Sequence, residues 1–205
     1  MPLKEINIDE VTYFDLNNQV NIPKNNQIQL DKDQEALDAF LKENVWPNVL
    51  KFDSLAQRFD WLFDNQFIER EFIAQYDLSF IEKLYAYLEG EHFNFKSFMA
   101  AFKFYNQYAL KTNDGQYYVE TYVDRVAMNA LYYANGQESL ALKLADEMIH
   151  QRYQPATPSF LNAGRARRGE LVSCFIIQTS DDMNSIGRTI CLLYTSPSPR
   201  DMRRS

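Results

Sequence analysis

Between residues 31 and 150, large apolar side chains recur at the three- and four-residue spacing of α-helices. Ser54, Ser79 and Ser97 stand where N-caps would open three of these helices, and the first two have capping-box spacing. The Asn135-Gly136 pair would end another helix. We therefore predict a helical domain over residues 31–150. Its many aromatic residues fall on the helical stripes, so we interpret them as core rather than as a cofactor pocket.

The first 30 residues are polar, rich in asparagine and glutamine, and carry few large apolar side chains after Phe14. Such a segment has little apolar surface to bury, so it needs a partner surface to become ordered. We predict an extended N-terminal arm over residues 1–30. Its beginning also lacks the basic start and apolar run of a secretory signal.

Composition narrows the class of protein. The 205 residues are 46% hydrophobic and 15% aromatic, which suits one globular domain or two small ones. No apolar run approaches 18 residues, so no membrane span is predicted. A net charge of −7 disfavours binding to a nucleic-acid polymer. The two cysteines are too few for a disulfide-stapled secreted fold, and we expect a cytoplasmic protein.

The pattern changes after His150. Two prolines, Pro155 and Pro158, predict a non-helical extended segment. Residues 171–177 form a nearly continuous apolar run with β-branched members, which is typical of a strand buried on both faces. A helix is predicted to start near Asp182, and the polar residues before it supply candidate caps. A strand, a cap and a helix in this order predict the opening of an α/β unit.

The last 15 residues read CLLYTSPSPRDMRRS. This string resembles a reading-frame translation of a common transposon-type sequencing adapter, so we predict an artefactual tail over residues 191–205. Pro197 and Pro199 would interrupt the helix that starts near Asp182. On this interpretation Cys174 is the one native cysteine, and the chain is a truncated gene product.

Two motifs carry a resemblance to a known family. Residues 154–164 read QPATPSFLNAG and residues 168–175 read RGELVSCF. Together with residues 98–105, 108–114 and 181–186, they resemble the large (alpha) subunit of ribonucleotide reductase, most closely the class Ib type. The resemblance implies a helical N-terminal domain followed by the first strand and helix of a ten-stranded α/β barrel, here truncated and covering residues 151–190.

The same resemblance implies an activity and four site residues. The family reduces ribonucleoside diphosphates to 2′-deoxyribonucleoside diphosphates through a cysteine thiyl radical, for DNA synthesis. Cys174 matches a redox-active thiol of the catalytic site. Thr157 and Ser173 match substrate-binding positions, as does Cys174 itself. Asp181 matches a position of the site that binds an ATP or deoxynucleotide effector at the dimer face.

Three of these residues have a plainer interpretation without the resemblance. Cys174 in an apolar strand would be a buried small hydrophobe, Thr157 would belong to an ordinary loop, and Asp181 would be a helix N-cap. A cluster of three arginines (Arg165, Arg167 and Arg168) is interpreted as solvated charge rather than as a phosphate site. The two histidines, His92 and His150, stand alone, without the spacing of metal ligands.

The family also implies partners and regulators. They are a small (beta) subunit whose dimetal centre supplies the radical, a second alpha subunit, and a dithiol reductant of the glutaredoxin or thioredoxin type. No cofactor is expected in this chain. We see no basic, glycine-containing ATP cone before Asp31, which favours class Ib. The fragment itself is expected to be inactive.

The alternative is a self-contained helical interaction module over residues 31–150, which would have no reason to carry residues 154–175.

Overall fold

In the computed structural model, the described residues are 11–24, 27–167, 169–172, 174 and 176–195. Regular structure among them is helical, and β-structure there is limited to isolated bridges. The prediction of a mainly α-helical chain is confirmed. The α-helices are α1 (Tyr13–Gln19), α2 (Leu30–Phe40), α3 (Leu55–Asp64), α4 (Arg70–Ile73), α5 (Leu78–Gly90), α6 (Phe98–Lys103), α7 (Tyr122–Ala134), α8 (Glu138–Ile149), α9 (Thr157–Asn162) and α10 (Met183–Thr195). None of these helices has the length and hydropathy of a membrane span.

The chain divides into two compact units. One comprises the described residues of Met1–Lys51 together with Glu91–Arg125, and the other comprises those of Phe52–Gly90 and Val126–Ser205. Each unit is therefore built from two separate stretches of the sequence.

The first unit has an aromatic core between α2 and α6. Phe40 and Phe98 meet edge to face with their ring centroids 5.7 Å apart, and Tyr105 lies 6.4 Å from Phe40. Both helices continue into single π-helical segments, Leu41–Val45 after α2 and Phe104–Tyr108 after α6. Such π-turns are rare and widen a helix locally. Burial of the Tyr105 hydroxyl group in this core raises its pKa.

The predicted extended arm is wrong for residues 13–19, which form α1. Thr12 caps this helix, and a reciprocal capping box joins it to Asp15. The ring of Tyr13 then packs 5.3 Å from that of Phe40. A capping box and two adjacent aromatic residues outweigh the polar composition of the segment, because they provide both a helix start and an apolar contact. Residues 1–10 of the arm lie outside the described residues.

Two of the three predicted serine N-caps are present in the structure. Ser54 accepts a hydrogen bond from the Gln57 amide at 3.2 Å, and Ser97 accepts one from the Ala100 amide at 3.3 Å. These two N-caps are confirmed. Ser79 is not a cap, because α5 already includes Leu78. Asp77 directly precedes α5, and its backbone carbonyl accepts the first hydrogen bonds of the helix.

The second unit has α5 packed against α8, and residues 126–131 of α7 are all buried. Tyr76 secures the end of α7: its hydroxyl donates to the Leu131 carbonyl at 2.9 Å and accepts from the Gly136 amide at 2.8 Å. Asn135 and Gly136 both have positive φ, at 46° and 84°. The predicted stop at this pair is therefore confirmed, because the left-handed conformation ends the helix.

Two predictions for the C-terminal part differ from the structure. The non-helical segment predicted from Pro155 and Pro158 is wrong for residues 157–158, because α9 starts at Thr157. Pro158 lies in the first turn of this helix, where a missing amide hydrogen costs no helical bond. The described residues of 171–177 are not in a strand. A strand needs neighbours for its amide and carbonyl groups, and no sheet is present among the described residues. The helix predicted near Asp182 is confirmed as α10, which runs to Thr195 and includes Cys191.

A cluster of charged groups joins α5 to the end of α8. The Tyr87 hydroxyl donates to the Asp146 carboxylate, which also pairs with Arg152. His150 Nδ1 lies 3.2 Å from Asp146 Oδ1. The hydrogen bond from Tyr87 lowers the pKa of Asp146, and the nearby charges of Arg152 and His150 act in the same direction.

Replacing Asp146 by asparagine is expected to destabilise the chain at neutral pH, with a deficit that narrows in acid. A lowered carboxyl pKa contributes stability above the unfolded-state value of about 3.9 and loses it as pH falls through the folded-state value. Thermal melts of both proteins between neutral pH and about pH 3 measure this. Tyr87→Phe, which removes the main cause of the shift, should reduce the pH dependence of the wild-type protein. A deficit of equal size at every pH would contradict the assignment.

Candidate functional site

The predicted substrate residue Thr157 opens the short helix α9. Its side chain is exposed, whereas Pro158, Phe160 and Leu161 are buried. The Phe160 carbonyl accepts a hydrogen bond at 3.1 Å from Asn129 Nδ2, and Asn129 has no exposed surface. Burial of three neighbours and this internal bond hold α9 in place while Thr157 faces solvent.

The turn after α9 is held against residues 67–72. Gly164 has a φ of 73°, and its carbonyl accepts from the Glu69 amide at 3.0 Å. A Cβ atom on Gly164 would lie 2.6 Å from the ring of Phe72. The chain therefore turns at this glycine. Only glycine tolerates both the left-handed backbone and the close approach of the ring.

The segment that leads to Cys174 is attached to α9 by two side chains. Ser159 Oγ donates to the Leu171 carbonyl at 2.8 Å, and Asn162 Nδ2 donates to the Glu170 carbonyl at 2.9 Å. Cys174 itself is exposed, which differs from a buried structural cysteine. Ser173 lies outside the described residues. The structure thus connects the helix of Thr157 to the approach to Cys174, which are 17 positions apart in the sequence.

Asp181 lies exposed in the bend before α10. The capping role that the sequence allowed for it belongs to its neighbour: the Asp182 carboxylate accepts from the Ser185 amide at 2.8 Å. Ser185 Oγ in turn accepts from the Ser180 amide at 2.9 Å, which ties the bend to the first turn of α10. Capping of α10 is therefore not the reason for a carboxylate at residue 181.

The basic cluster contributes structure as well as charge. The Arg165 backbone pairs with Ile68 in an isolated bridge, and its side chain is half-buried. Arg167 donates to Gln66 Oε1 at 3.1 Å. Arg168 lies outside the described residues. For metals, the described residues bring together no group of three or more histidine, cysteine or carboxylate side chains that could hold an ion.

The first unit has a separate pocket of about 220 Å³ beside its two π-turns. Aromatic rings and amides line it, among them Phe40, Asn44, Asn48 and Asn106, together with Lys111. Its lining includes no carboxylate, histidine or cysteine and none of the predicted site residues. It therefore offers hydrogen bonds and a cation but no thiol chemistry.

Sequence reasoning missed three polar residues of the second unit: Asn129, Ser159 and Asn162. Asn129 lies within the apolar stripe of α7, and a buried amide at such a position indicates an internal hydrogen bond. That signal could have been used. Ser159 and Asn162 bond to backbone carbonyls twelve and eight residues away, respectively, and no sequence pattern marks such contacts.

Two family models match adjoining parts of the chain. The model described as "Ribonucleotide reductase N-terminal" matches residues 13–93, and "Ribonucleotide reductase, all-alpha domain" matches residues 94–168. The second match ends within the arginine cluster, after the whole of α9.

Curated relatives with the same family name are also similar. "Ribonucleoside-diphosphate reductase subunit alpha" of Bacillus subtilis (strain 168) is 44% identical over 178 residues, which is 87% of this chain and 25% of that protein. The subunit alpha of Mycoplasma pneumoniae is 46% identical over 158 residues, 77% of this chain and 22% of the relative. "Ribonucleoside-diphosphate reductase nrdEB subunit alpha" of Bacillus phage SPbeta is 44% identical over 178 residues, again 87% of this chain but 16% of that protein. The chain therefore spans about a quarter or less of the length of these relatives.

Proposed function

Because this chain belongs to the ribonucleotide reductase large-subunit family, we propose that it is the N-terminal part of a class Ib ribonucleoside-diphosphate reductase alpha subunit. The observation that carries this proposal is the 44% identity to a Bacillus subtilis alpha subunit over 178 residues, which extends across most of the chain. The NrdEB-type relatives favour the class Ib assignment. In the complete subunit, residues 151–190 would begin the ten-stranded catalytic barrel, whose neighbouring strands would pair with residues 171–177.

The proposed reaction replaces the 2′ hydroxyl of a ribonucleoside diphosphate by hydrogen. A thiyl radical on a cysteine outside this chain removes the 3′ hydrogen, which loosens the 2′ C–O bond. Cys174 and a second thiol outside this chain supply two protons and two electrons and end as a disulfide. One proton leaves in water with the 2′ oxygen, the other ends on C2′, and the 3′ hydrogen returns to the substrate. An external dithiol then reduces the disulfide.

The remaining site residues are assigned to binding. Thr157 and Ser173 would contact the substrate, and the exposed position of Thr157 on a firmly held helix supports its role. Asp181 would bind the ATP or deoxynucleotide effector at the face between two alpha subunits. Its exposure, and the use of Asp182 as the helix cap, support that role.

The proposal places the radical source outside this chain. A small beta subunit would generate the radical at its dimetal centre and pass it to the alpha subunit. The other partners are a second alpha subunit and a cytoplasmic dithiol protein of the glutaredoxin or thioredoxin type. A binding role for a nucleic-acid polymer or a membrane forms no part of the proposal.

A chimeric subunit tests the proposed function. Residues 13–190 of this chain replace the matching segment of the Bacillus subtilis alpha subunit, and deoxynucleotide formation is measured with its small subunit and excess dithiol. We expect turnover within about tenfold of the parent, because on this proposal the transplanted thiol and binding residues take the roles of those they replace. The 205-residue chain alone should form no deoxynucleotide, because it lacks the cysteines that would carry the radical and complete the disulfide. A chimera that melts cooperatively and binds its small subunit without any turnover would contradict the proposal.

A further inference from the structure

Among the described residues before Cys174, those from 169 to 172 have few backbone attachments. The described residues 169–172 are in neither helix nor strand and make no backbone–backbone hydrogen bond to another described residue. Two side chains of α9 donate to this segment: Ser159 to the Leu171 carbonyl at 2.8 Å and Asn162 to the Glu170 carbonyl at 2.9 Å. We refer to these two hydrogen bonds as the α9 clamp.

The α9 clamp has a rigid base. The apolar side chains of α9 are buried, and the fully buried Asn129 donates to the Phe160 carbonyl in the middle of the helix. The Asn162 amide also rests on Gly169, where a Cβ atom would lie 3.4 Å from Nδ2. The amide of Asn162 is thus packed against the segment as well as bonded to it. Movement of residues 170–171 away from α9 would break both hydrogen bonds.

We propose that Ser159 and Asn162 are positioning residues that hold the Cys174 thiol in register with Thr157. The inference rests on the proposed function, which assigns Thr157 to the substrate and Cys174 to its reduction. Thr157 and Ser159 are two residues apart on one short helix, and the clamped carbonyls lie three and four residues before Cys174. One rigid element therefore carries the substrate contact and restrains the reductant.

This arrangement predicts that loss of the α9 clamp lowers the rate of turnover without weakening substrate binding. Loss of the α9 clamp leaves Thr157 in place, because the buried face of α9 and Asn129 still hold the helix. The thiol, however, samples more positions, and reaction rates fall when reacting groups are less well oriented. Variants without the clamp should lose kcat while KM stays close to that of the parent.

The mobility of the thiol can be measured in the full 205-residue chain. A nitroxide is attached to Cys174 in a Cys191→Ser background, and its spectrum is recorded by electron paramagnetic resonance. Ser159→Ala combined with Asn162→Ala should shorten the rotational correlation time of the label by about twofold or more, since both hydrogen bonds of the α9 clamp are lost. Ser159→Thr, which keeps the hydroxyl, should resemble the parent. An unchanged spectrum in the double variant would overturn the proposal.

Asn65→Ala is the matched control. Asn65 also donates its side-chain amide to a backbone carbonyl, that of Trp61 at 2.8 Å, but within its own helix end. This variant should leave the label spectrum unchanged, so any general loosening of the unit is separated from loss of the α9 clamp. Equal effects of Asn65→Ala and Asn162→Ala would also overturn the proposal.

The chimeric subunit supplies the catalytic readout. Ser159→Ala or Asn162→Ala should each lower kcat about fivefold, the usual net effect of one hydrogen bond, with KM within about twofold of the parent. A raised KM with unchanged kcat would overturn the positioning role. The label measurement does not depend on turnover, so an inactive chimera counts against the proposed function, while an unchanged label spectrum counts against the α9 clamp.

Discussion

Replacing Cys174 by serine in the chimeric subunit is expected to abolish multiple turnover. Serine keeps the size of the side chain and its capacity for hydrogen bonding, but an alcohol cannot form a disulfide and so supplies no electrons. Product should stay below about one deoxynucleotide per subunit even with excess dithiol. Because serine is close to cysteine in size, the substitution leaves almost no cavity, so the fold should be unaffected.

Three measurements accompany the Cys174→Ser variant. Deoxynucleotide formed per subunit reports turnover, equilibrium binding of the ribonucleoside diphosphate reports the substrate site, and a thermal melt reports folding. We expect the first to collapse and the other two to match the parent. Asn65→Ala, remote from the thiol segment along the sequence, should retain turnover and serves as the unrelated variant. Sustained product formation by Cys174→Ser would remove this residue from the reduction step.

The helical core could be predicted because its signals are local. Apolar residues at helical spacing and serine caps at Ser54 and Ser97 depend on neighbours within one or two turns, and the structure places helices there. The same local signal was not used for α1. Thr12 and Asp15 have the spacing of a capping box, but the arm was predicted from the polar composition of its segment alone.

The candidate site could be predicted only in part. Thr157 and Cys174 came from motifs that resemble a family, and nothing in helix or strand periodicity identifies them. Helix α9 was missed because a proline usually breaks a helix, although Pro158 occupies the first turn, where it is tolerated. The strand predicted over residues 171–177 is absent among the described residues, because a strand needs neighbours for its amide and carbonyl groups and no local pattern supplies them.

The contacts of the α9 clamp were beyond sequence reasoning for a different reason. Serine and asparagine donate to any nearby backbone carbonyl, so residue type does not reveal the acceptor. The acceptors, the carbonyls of Glu170 and Leu171, become identifiable only when α9 and the following segment are brought together. Long-range bonds to the main chain therefore have to be read from the structure.

Gly164→Ala is expected to destabilise the chain by about 2–4 kcal/mol, the largest effect on folding that we predict. Two costs combine at this position. A φ of 73° is unfavourable for an L-residue with a side chain, and a Cβ atom would lie 2.6 Å from Cζ of Phe72. The Phe72 ring cannot easily move, because it is buried and meets Tyr132 edge to face at 5.5 Å.

Two other glycines separate these costs when the free energy of unfolding is measured by urea denaturation. Gly115 has a φ of 72° with no atom within 4 Å of its Cβ position, so Gly115→Ala should cost about 1 kcal/mol from backbone strain alone. Gly90 ends α5 without positive φ and without a close neighbour, so Gly90→Ala should be neutral or stabilise by up to about 1 kcal/mol. The loss of stability should therefore be largest for Gly164→Ala, which combines backbone strain with a steric clash. It should be smaller for Gly115→Ala, which has strain alone, and absent for Gly90→Ala. If Gly164→Ala lowered the free energy of unfolding no more than Gly115→Ala does, the turn after α9 would be able to shift away from Phe72. That result would contradict a firm attachment of α9.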